Sequence, residues 1–513
     1  MTTVRWLLGD HLGPHFLDDE DQPVLLIESR KVFARRRFHR QKAHLVLSAM
    51  RHRARELGDR CSYVRADTYA QVLDAPPREL GRSPRFEVCH PTSWPARDFA
   101  VGRADVTVLP ARGYATSMAD FVDWVGGPDG TGRKRLLMED YYRDARRRLE
   151  ILVDGDQPTG GRWNFDEENR EAPPRRSGRR GRGDGAEPFT LGVPDPWWAT
   201  EDEIDEEVRA DLDRWEADGN VRFVGRDGPR IFPATTTEAT EALHRFIDHR
   251  LPTFGRWEDA MLADDPWMSH SLLSSSINLG LLDPLDAAHA AEQAHRQDGA
   301  PLAAVEGFVR QLIGWRDWMW HLYWHSGRDW KDRNALRARR SLPDWFADLD
   351  ADAVEARCLS SILAEVRDHG WVHHIPRLMV LGNYAMQRGW DPAEVTDWFH
   401  TVFVDGYAWV MVANVIGMSQ YADGGRIVTK PYAGGGAYID RMSDYCGGCR
   451  YSPKVRVGDD ACPFTAGYWW FLHRHREEFA GNRRLQQPLR GLDRLSDLAE
   501  LVAQEDARGS AAP

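Results

Sequence analysis

The strongest constraint on this chain is a set of four cysteines that are far apart in sequence and that one metal centre would have to bring together. Cys446-Gly-Gly-Cys449 is followed after twelve residues by Cys462 and then Pro463, while Cys358 lies 88 positions before Cys446 in a stretch with helical spacing. Two glycines between thiolates let the backbone bend so that both sulfurs face one centre. A proline behind a ligand cysteine recurs in iron–sulfur proteins. If all four bind one centre, the helix of Cys358 must pack beside the C-terminal segment. Zinc accepts the same four thiolates but usually draws them from two short paired knuckles, so spacing leaves zinc and iron–sulfur level. Cys61 and Cys89 fall in or beside predicted strands and read as buried apolar residues.

Six cysteines in 513 residues do not make a secreted disulfide scaffold, so the tight cluster points to metal in a reducing compartment. The start, MTTVRWLLGDHL, lacks a signal-peptide pattern, and no run approaches ~18 apolar residues. The expectation is a soluble, cytoplasmic protein with no membrane span. A hydrophobic content of 42% suits packed cores, and the net charge of -12 gives no general nucleic-acid signal. The 21 tryptophans read either as core side chains or as surfaces for aromatic cofactors and electron transfer.

Residues 1–125 alternate short apolar runs with helical stretches. Val4–Leu8, Val24–Glu28, Ser62–Arg65, Phe86–His90 and Val106–Pro110 read as buried strands, with a helix over Ala34–Leu57 between the second and third. This predicts an α/β domain with a mostly parallel sheet. Ligands sit beyond the carboxyl ends of such strands, which puts Gly9, Asp10 and His11 in a ligand-facing turn. Residues 126–234 read as an interdomain linker with a charged helix over Arg133–Leu152. It includes Arg175–Arg182 (RRSGRRGR), five arginines in eight residues, either a solvated charge run or an arm on a phosphate backbone. Residues 235–500 are nearly all helical, with helices expected at Thr236–Arg250, Pro284–His295, Ala304–Trp324, Val354–His369, Pro376–Arg388, Ala393–Val404 and Ala466–Phe479. Residues 501–513 read as a flexible tail.

Three stretches of the helical part carry unusual chemistry. The hydroxyl-rich Thr253–Asn278 suits either phosphate binding or plain helix capping. Glu306–Arg316 (EGFVRQLIGWR) holds Glu306, Arg310 and Gln311 polar at helical spacing beside Phe308, Ile313 and Trp315. His373–Met379 (HHIPRLM) presents adjacent histidines, a pattern that is more often structural but also serves proton transfer or metal binding.

Together with HSLLSSSIN, NVIGMSQYADGG, KPYAGGGAYIDRMSDYCGGC and CPF, these stretches resemble the photolyase/cryptochrome family. The branch they resemble is the iron–sulfur bacterial cryptochromes and photolyases, or prokaryotic (6-4) photolyases. LLGDHL, LLIES and HRQKAHLVLSAMRHRA are similar to its antenna domain. The resemblance implies FAD in the helical domain and a [4Fe–4S] cluster on Cys358, Cys446, Cys449 and Cys462. Several members add a 6,7-dimethyl-8-ribityllumazine antenna in the α/β domain. It also implies UV-damaged DNA as partner, a monomeric protein, and light-driven repair of the pyrimidine (6-4) pyrimidone lesion flipped above the flavin. His374 matches the proton donor, His373 its partner, and Tyr432 a lesion contact. Arg377, Met418 and Gln420 line the lesion pocket. His270, Ser271, Ser274 and Asn278 fall near the FAD phosphates, with Glu306, Arg310, Trp315, Asp405 and Asn414 around its rings. Trp398 and Phe399 match electron-transfer positions.

Three departures qualify this. The aromatic residue expected eight positions before Cys358 is Asp350, for which Trp345 is the nearest substitute. Met411 stands where a polar residue is expected near flavin N5, and a thioether cannot hydrogen-bond it strongly. His11 replaces the glutamine of LGDQL. A cryptochrome-type photoreceptor with weak or no repair, and a DNA-binding iron–sulfur module with a degenerate flavin site, are the alternatives.

Overall fold

In the computed structural model, residues 3–127, 132–133, 135–174 and 188–513 are described. The sheet has five strands: β1 Thr3–Leu7, β2 Val24–Ser29, β3 Cys61–Ala66, β4 Arg85–Cys89 and β5 Val106–Leu109. All pairings are parallel, in the order β3-β2-β1-β4-β5. Every residue of β2 is buried, which its unbroken VLLI run requires of a strand covered on both faces. The order reverses at β1 and β4, so the crevice beyond their carboxyl ends lies where open α/β sheets take ligands. There the Thr92 hydroxyl donates to the Asp10 carboxylate, and His11 stacks on Phe16 with ring centroids 4.6 Å apart.

The predicted helix over Ala34–Leu57 is two helices, Arg30–Ala34 and Arg40–Leu57. His39 separates them: its backbone is extended and its side chain caps the second helix by accepting from Gln41 N. Gly225 explains how the chain passes so close: a Cβ there would fall 1.9 Å from His39 Nε2.

Apart from a short antiparallel pair, Val153–Asp154 with Gln157–Pro158, the rest is helical or loop. The Leu302–Val309 and Asp317–Ser326 helices run on through a π-helical segment, Arg310–Arg316. Two more π segments, Pro376–Gly382 and Val415–Ser419, occur among the described residues. Such turns are rare and concentrate at functional sites. At least seven tryptophans, among them Trp320, Trp390 and Trp409, are almost fully buried, so core packing accounts for much of their abundance. No helix among the described residues is long and apolar enough to cross a membrane.

Two expectations need correcting. The segment read as a linker contains helices built into the body. The Glu203–Ala217 helix lies on Arg40–Leu57 through Arg51–Asp211 at 2.5 Å, and Met138–Leu149 buries Tyr141 and Tyr142. Arg175–Arg182 falls outside the described residues. The expected tail from 501 instead continues a helix, Leu498–Arg508, whose Glu505 is fully buried against Arg388. The helix buries Leu501 and Glu505 on one face, which a short, partly polar stretch such as LVAQEDAR does not make obvious.

The loop after β5 is joined to the helical part by buried Asp317. Its carboxylate accepts from Ala115 N at 2.8 Å, Thr116 N at 3.2 Å, Thr116 Oγ1 at 2.7 Å and the Tyr141 hydroxyl. Burial alone would raise its pKa, but neighbouring His321 and these donors hold it below the ordinary 3.8. Asp317→Ala leaves those donors unpaired and is expected to destabilise the protein by about 3 kcal/mol in urea denaturation. Because the folded value is lowered, the carboxylate's contribution is complete above pH 3.8 and lost as pH falls through that lower value. The gap between wild type and variant should therefore narrow on acidification.

Candidate active site

Four otherwise buried segments each keep a stripe of exposed or half-exposed residues: Ser271, Ser274 and Asn278; Gln311, Trp315 and Arg316; His374 and Arg377; Tyr407, Val410 and Asn414. The stripes face one recess, because polar contacts join them. Asp405 accepts both nitrogens of the Arg377 fork at 2.8 and 3.0 Å and the Ser274 hydroxyl at 2.6 Å. Its main-chain oxygen accepts from Asn278 Nδ2 at 3.0 Å. Arg316 Nε reaches Asn278 Oδ1 at 3.3 Å and spreads its guanidinium over Tyr114 and Trp409. Arg316 sat inside the EGFVRQLIGWR motif but was not singled out; its position five residues beyond Gln311 on a π turn brings it onto the recess face.

The paired histidines sit on the wall. His373 is buried and stacks on His270, ring centroids 4.0 Å apart. His374 exposes its side chain, yet enough protein surrounds it that burial, then Arg377, pushes its pKa down to about 4. Burial, with Arg250 and His374, pushes His270 down to about 3. Burial, then His270, His374 and Arg377, lowers His373 well below the usual range. All three imidazoles are therefore neutral near pH 7. Sequence reading grouped His270 with phosphate ligands; the structure sets it against the histidine pair.

Glu306 and Arg310 are buried together. Glu306 accepts from Phe165 N at 3.0 Å, and Arg310 reaches Asp166 at 3.1 Å and Asn164 at 3.2 Å. Beside them Glu258, unremarked within Thr253–Asn278, accepts from Gln311 Nε2 at 2.5 Å. Burial pushes its carboxyl up to about 8, against the opposing Arg310. Tyr432 is half-buried, with Arg170, Asp259 and Asp166 among its charged neighbours. Met418 and Gln420 are buried, and the Gln420 amide is taken up by Gly382 O at 2.9 Å. Met411 is buried on the turn between Tyr407 and Asn414.

From Arg377, a run of rings leads outward. The guanidinium lies 4.0 Å over Phe403, which stacks on Phe399 at 5.4 Å; Trp398 is 5.1 Å from Phe399 and 4.4 Å from Phe346. Phe346 contacts Trp390 at 4.7 Å and half-buried Trp345 at 5.6 Å. Asp350 takes no part: its side chain caps a short turn through Ala353 N at 3.2 Å.

The four cysteines converge as free thiols around one cavity, walled by Ala356, Ile439, Tyr445 and Phe464. Gly436 is needed there, since a Cβ would fall 2.7 Å from Cys462 Sγ. No three of these sulfurs lie within 4.8 Å of one another; among the described residues only His52, Asp202 and Asp205 form so tight a trio. Arg55 at 2.6 Å from Asp202 and Arg230 at 2.8 Å from Asp205 already neutralise that trio.

Residues 5–220 match the family described as deoxyribodipyrimidine photo-lyase-related protein. A bacterial class III photolyase structure from Agrobacterium tumefaciens shares the fold, with a TM-score of 0.51 at 15% identity over 82% of this chain and 79% of that one. A 66-residue stretch, 13% of this chain, is 39% identical to an uncharacterized protein of Acanthamoeba polyphaga mimivirus, covering 54% of it. A protein named (6-4) photolyase from Agrobacterium fabrum is 40% identical over 517 residues, 97% of this chain and 96% of that one. Likeness sustained over both the sheet and the recess means that the chain belongs to the family of the Agrobacterium (6-4) photolyase.

Proposed function

We propose that the protein repairs pyrimidine (6-4) pyrimidone photoproducts in DNA by a light-driven, FAD-dependent reaction. The observation that carries this reading is the 40% identity to a named (6-4) photolyase over 97% of the chain. Residues 1–125 then serve as the antenna domain and 235–500 as the flavin domain, acting as a monomer on damaged DNA. The recess suits FAD because buried polar atoms without hydrogen-bond partners lie on its residues, among them His270 Nε2, Arg310 Nη2 and the Tyr407 hydroxyl. Ser271, Ser274, Asn278 and Arg316 would hold its phosphates, with Trp315, Asp405 and Asn414 nearer its rings. Bound and reduced, FAD supplies the photoexcited electron.

The chain's own task is position and proton. A lesion that has gained an electron is a base, and His374 offers it an N–H from the recess wall. His373, stacked on His270, keeps the neighbouring ring in place, and Tyr432 offers a phenol from the rim. Trp398 and Phe399 belong to the ring run to Trp345, a route for electrons from outside that bypasses Asp350. The crevice at β1 and β4, with Asp10 and His11, suits a lumazine antenna. For the cysteines a [4Fe–4S] cluster fits better than zinc: tetrahedral zinc at about 2.3 Å from each sulfur needs sulfurs about 3.8 Å apart. Asp350 is the observation favouring a photoreceptor without repair, and one assay separates the two.

Purified protein given a (6-4)-damaged oligonucleotide and blue light is expected to restore it; flavin photoreduction without restoration would establish the photoreceptor reading instead. His374→Ala is expected to slow repair by about 100-fold while flavin content stays unchanged, and equal repair rates would reject the assignment. Gly436→Ala pushes a methyl group onto Cys462 Sγ and should lower iron content and the brown iron–sulfur absorbance. Full iron in that variant would overturn the placement of the cluster on Cys462, and a colourless wild type would overturn the cluster.

A further inference from the structure

Lys42 is a group the proposed reaction does not use. It lies on the Arg40–Leu57 helix of the sheet domain with 5% exposure, an unusual place for an ammonium. Its Nζ donates to His400 O at 2.6 Å and also to Gly406 O, between the rings of Phe38 at 5.2 Å and Tyr407 at 5.3 Å. His400 O belongs to the last turn of the Pro392–Val402 helix, where main-chain carbonyls lack helical partners and favour a cation. Gly406 begins the approach to the Ala408–Asn414 helix. A Cβ on Gly406 would fall 2.7 Å from Phe399 O and 2.8 Å from His400 O, so the turn is pressed onto the helix end. Between the two clamped carbonyls, in the same turn, lies Asp405, which gathers Arg377, Ser274 and Asn278.

We propose that Lys42 is a positioning residue: from the sheet domain it clamps the Phe403–Tyr407 turn to the preceding helix end and thereby sets Asp405 in the flavin recess. This rests on the FAD reading above. Both its hydrogen bonds go to main-chain carbonyls, so it acts through the turn rather than on a ligand. It makes flavin retention depend on docking of the sheet domain.

The test uses full-length, flavin-loaded protein. Lys42→Met keeps the aliphatic stem and removes the donor; Lys42→Arg keeps a donor there. Loss of two buried hydrogen bonds predicts that Lys42→Met releases FAD roughly tenfold faster, with blurred fine structure in the blue flavin band. Lys42→Arg should recover part of the retention. If the lysine acts through Asp405, adding Asp405→Asn should bring less than the sum of the two separate effects. Unchanged release from Lys42→Met, or strictly additive effects, overturns the proposal while leaving the FAD reading intact. A wild type that purifies without flavin removes the FAD reading and this proposal with it.

Discussion

The ion pair between Arg377 and Asp405 holds the recess together. A buried pair contributes only when the desolvated charges have nearly all their hydrogen bonds met. Here the two fork nitrogens meet both carboxylate oxygens, Ser274 adds a third donor, and Arg377 Nε turns back to Val372 O at 2.7 Å. That last bond matters for chemistry. It fixes the backbone immediately before His373 and His374, so the carboxylate that gathers the flavin-facing helices also sets the histidine pair. Removing either charge would strand the other, whereas losing a surface contact such as Arg450–Glu355, both exposed, would change little.

Much of this was legible from sequence, for identifiable reasons. Fully buried parallel strands leave continuous apolar runs, and β2 begins where such a run begins, whereas β5, expected to be buried, lies partly exposed at an edge of the sheet. The recess residues were legible only through the family resemblance, since residue pattern alone left the hydroxyls of Thr253–Asn278 between phosphate binding and helix capping. Less visible were groups whose partners come from distant segments. Lys42 reads as a surface lysine until the turn near Gly406 is folded over it. Glu258 looks like an ordinary solvated acid, although burial beside Gln311 keeps it protonated near neutrality. The π segments were invisible, since one inserted residue per turn leaves little trace in the apolar pattern. Their effect is substantial: the one at Arg310–Arg316 turns Gln311, Trp315 and Arg316 toward the recess while Leu312, Ile313 and Gly314 stay buried.

The cysteine site is a second constraint, and it is topological. The Cys358 helix and the Cys446–Cys462 segment share one hydrophobic core, and at the surface Glu355 contacts Arg450 and Tyr451, the latter at 3.2 Å. Exposed pairs of that kind contribute little. Four sulfurs on one centre would tie the two segments far more firmly, and Gly436 gives its side-chain space to the Cys462 sulfur. In the proposed function the cluster is therefore structural first. The same helix runs past Ser361, Ile362 and Glu365 toward the wall that carries His373, so a loosened cysteine site would reach the histidines through packing rather than redox chemistry.

The C-terminal helix bears on the proposed electron route in the same indirect way. Position 350 has lost the aromatic side chain the family resemblance leads one to expect, and its carboxylate caps a turn instead. The ring run nevertheless reaches a half-buried indole, because Phe346 and Trp390 carry it to Trp345. Trp345 is not left to move freely at the surface: its Nε1 donates to Ser510 O at 2.9 Å. That residue follows the Leu498–Arg508 helix, which is itself locked by the buried Arg388–Glu505 pair. A segment whose charges suggested a solvated tail thus fixes the outer indole, so replacing the aromatic side chain at 350 need not break the route so long as this helix stays docked.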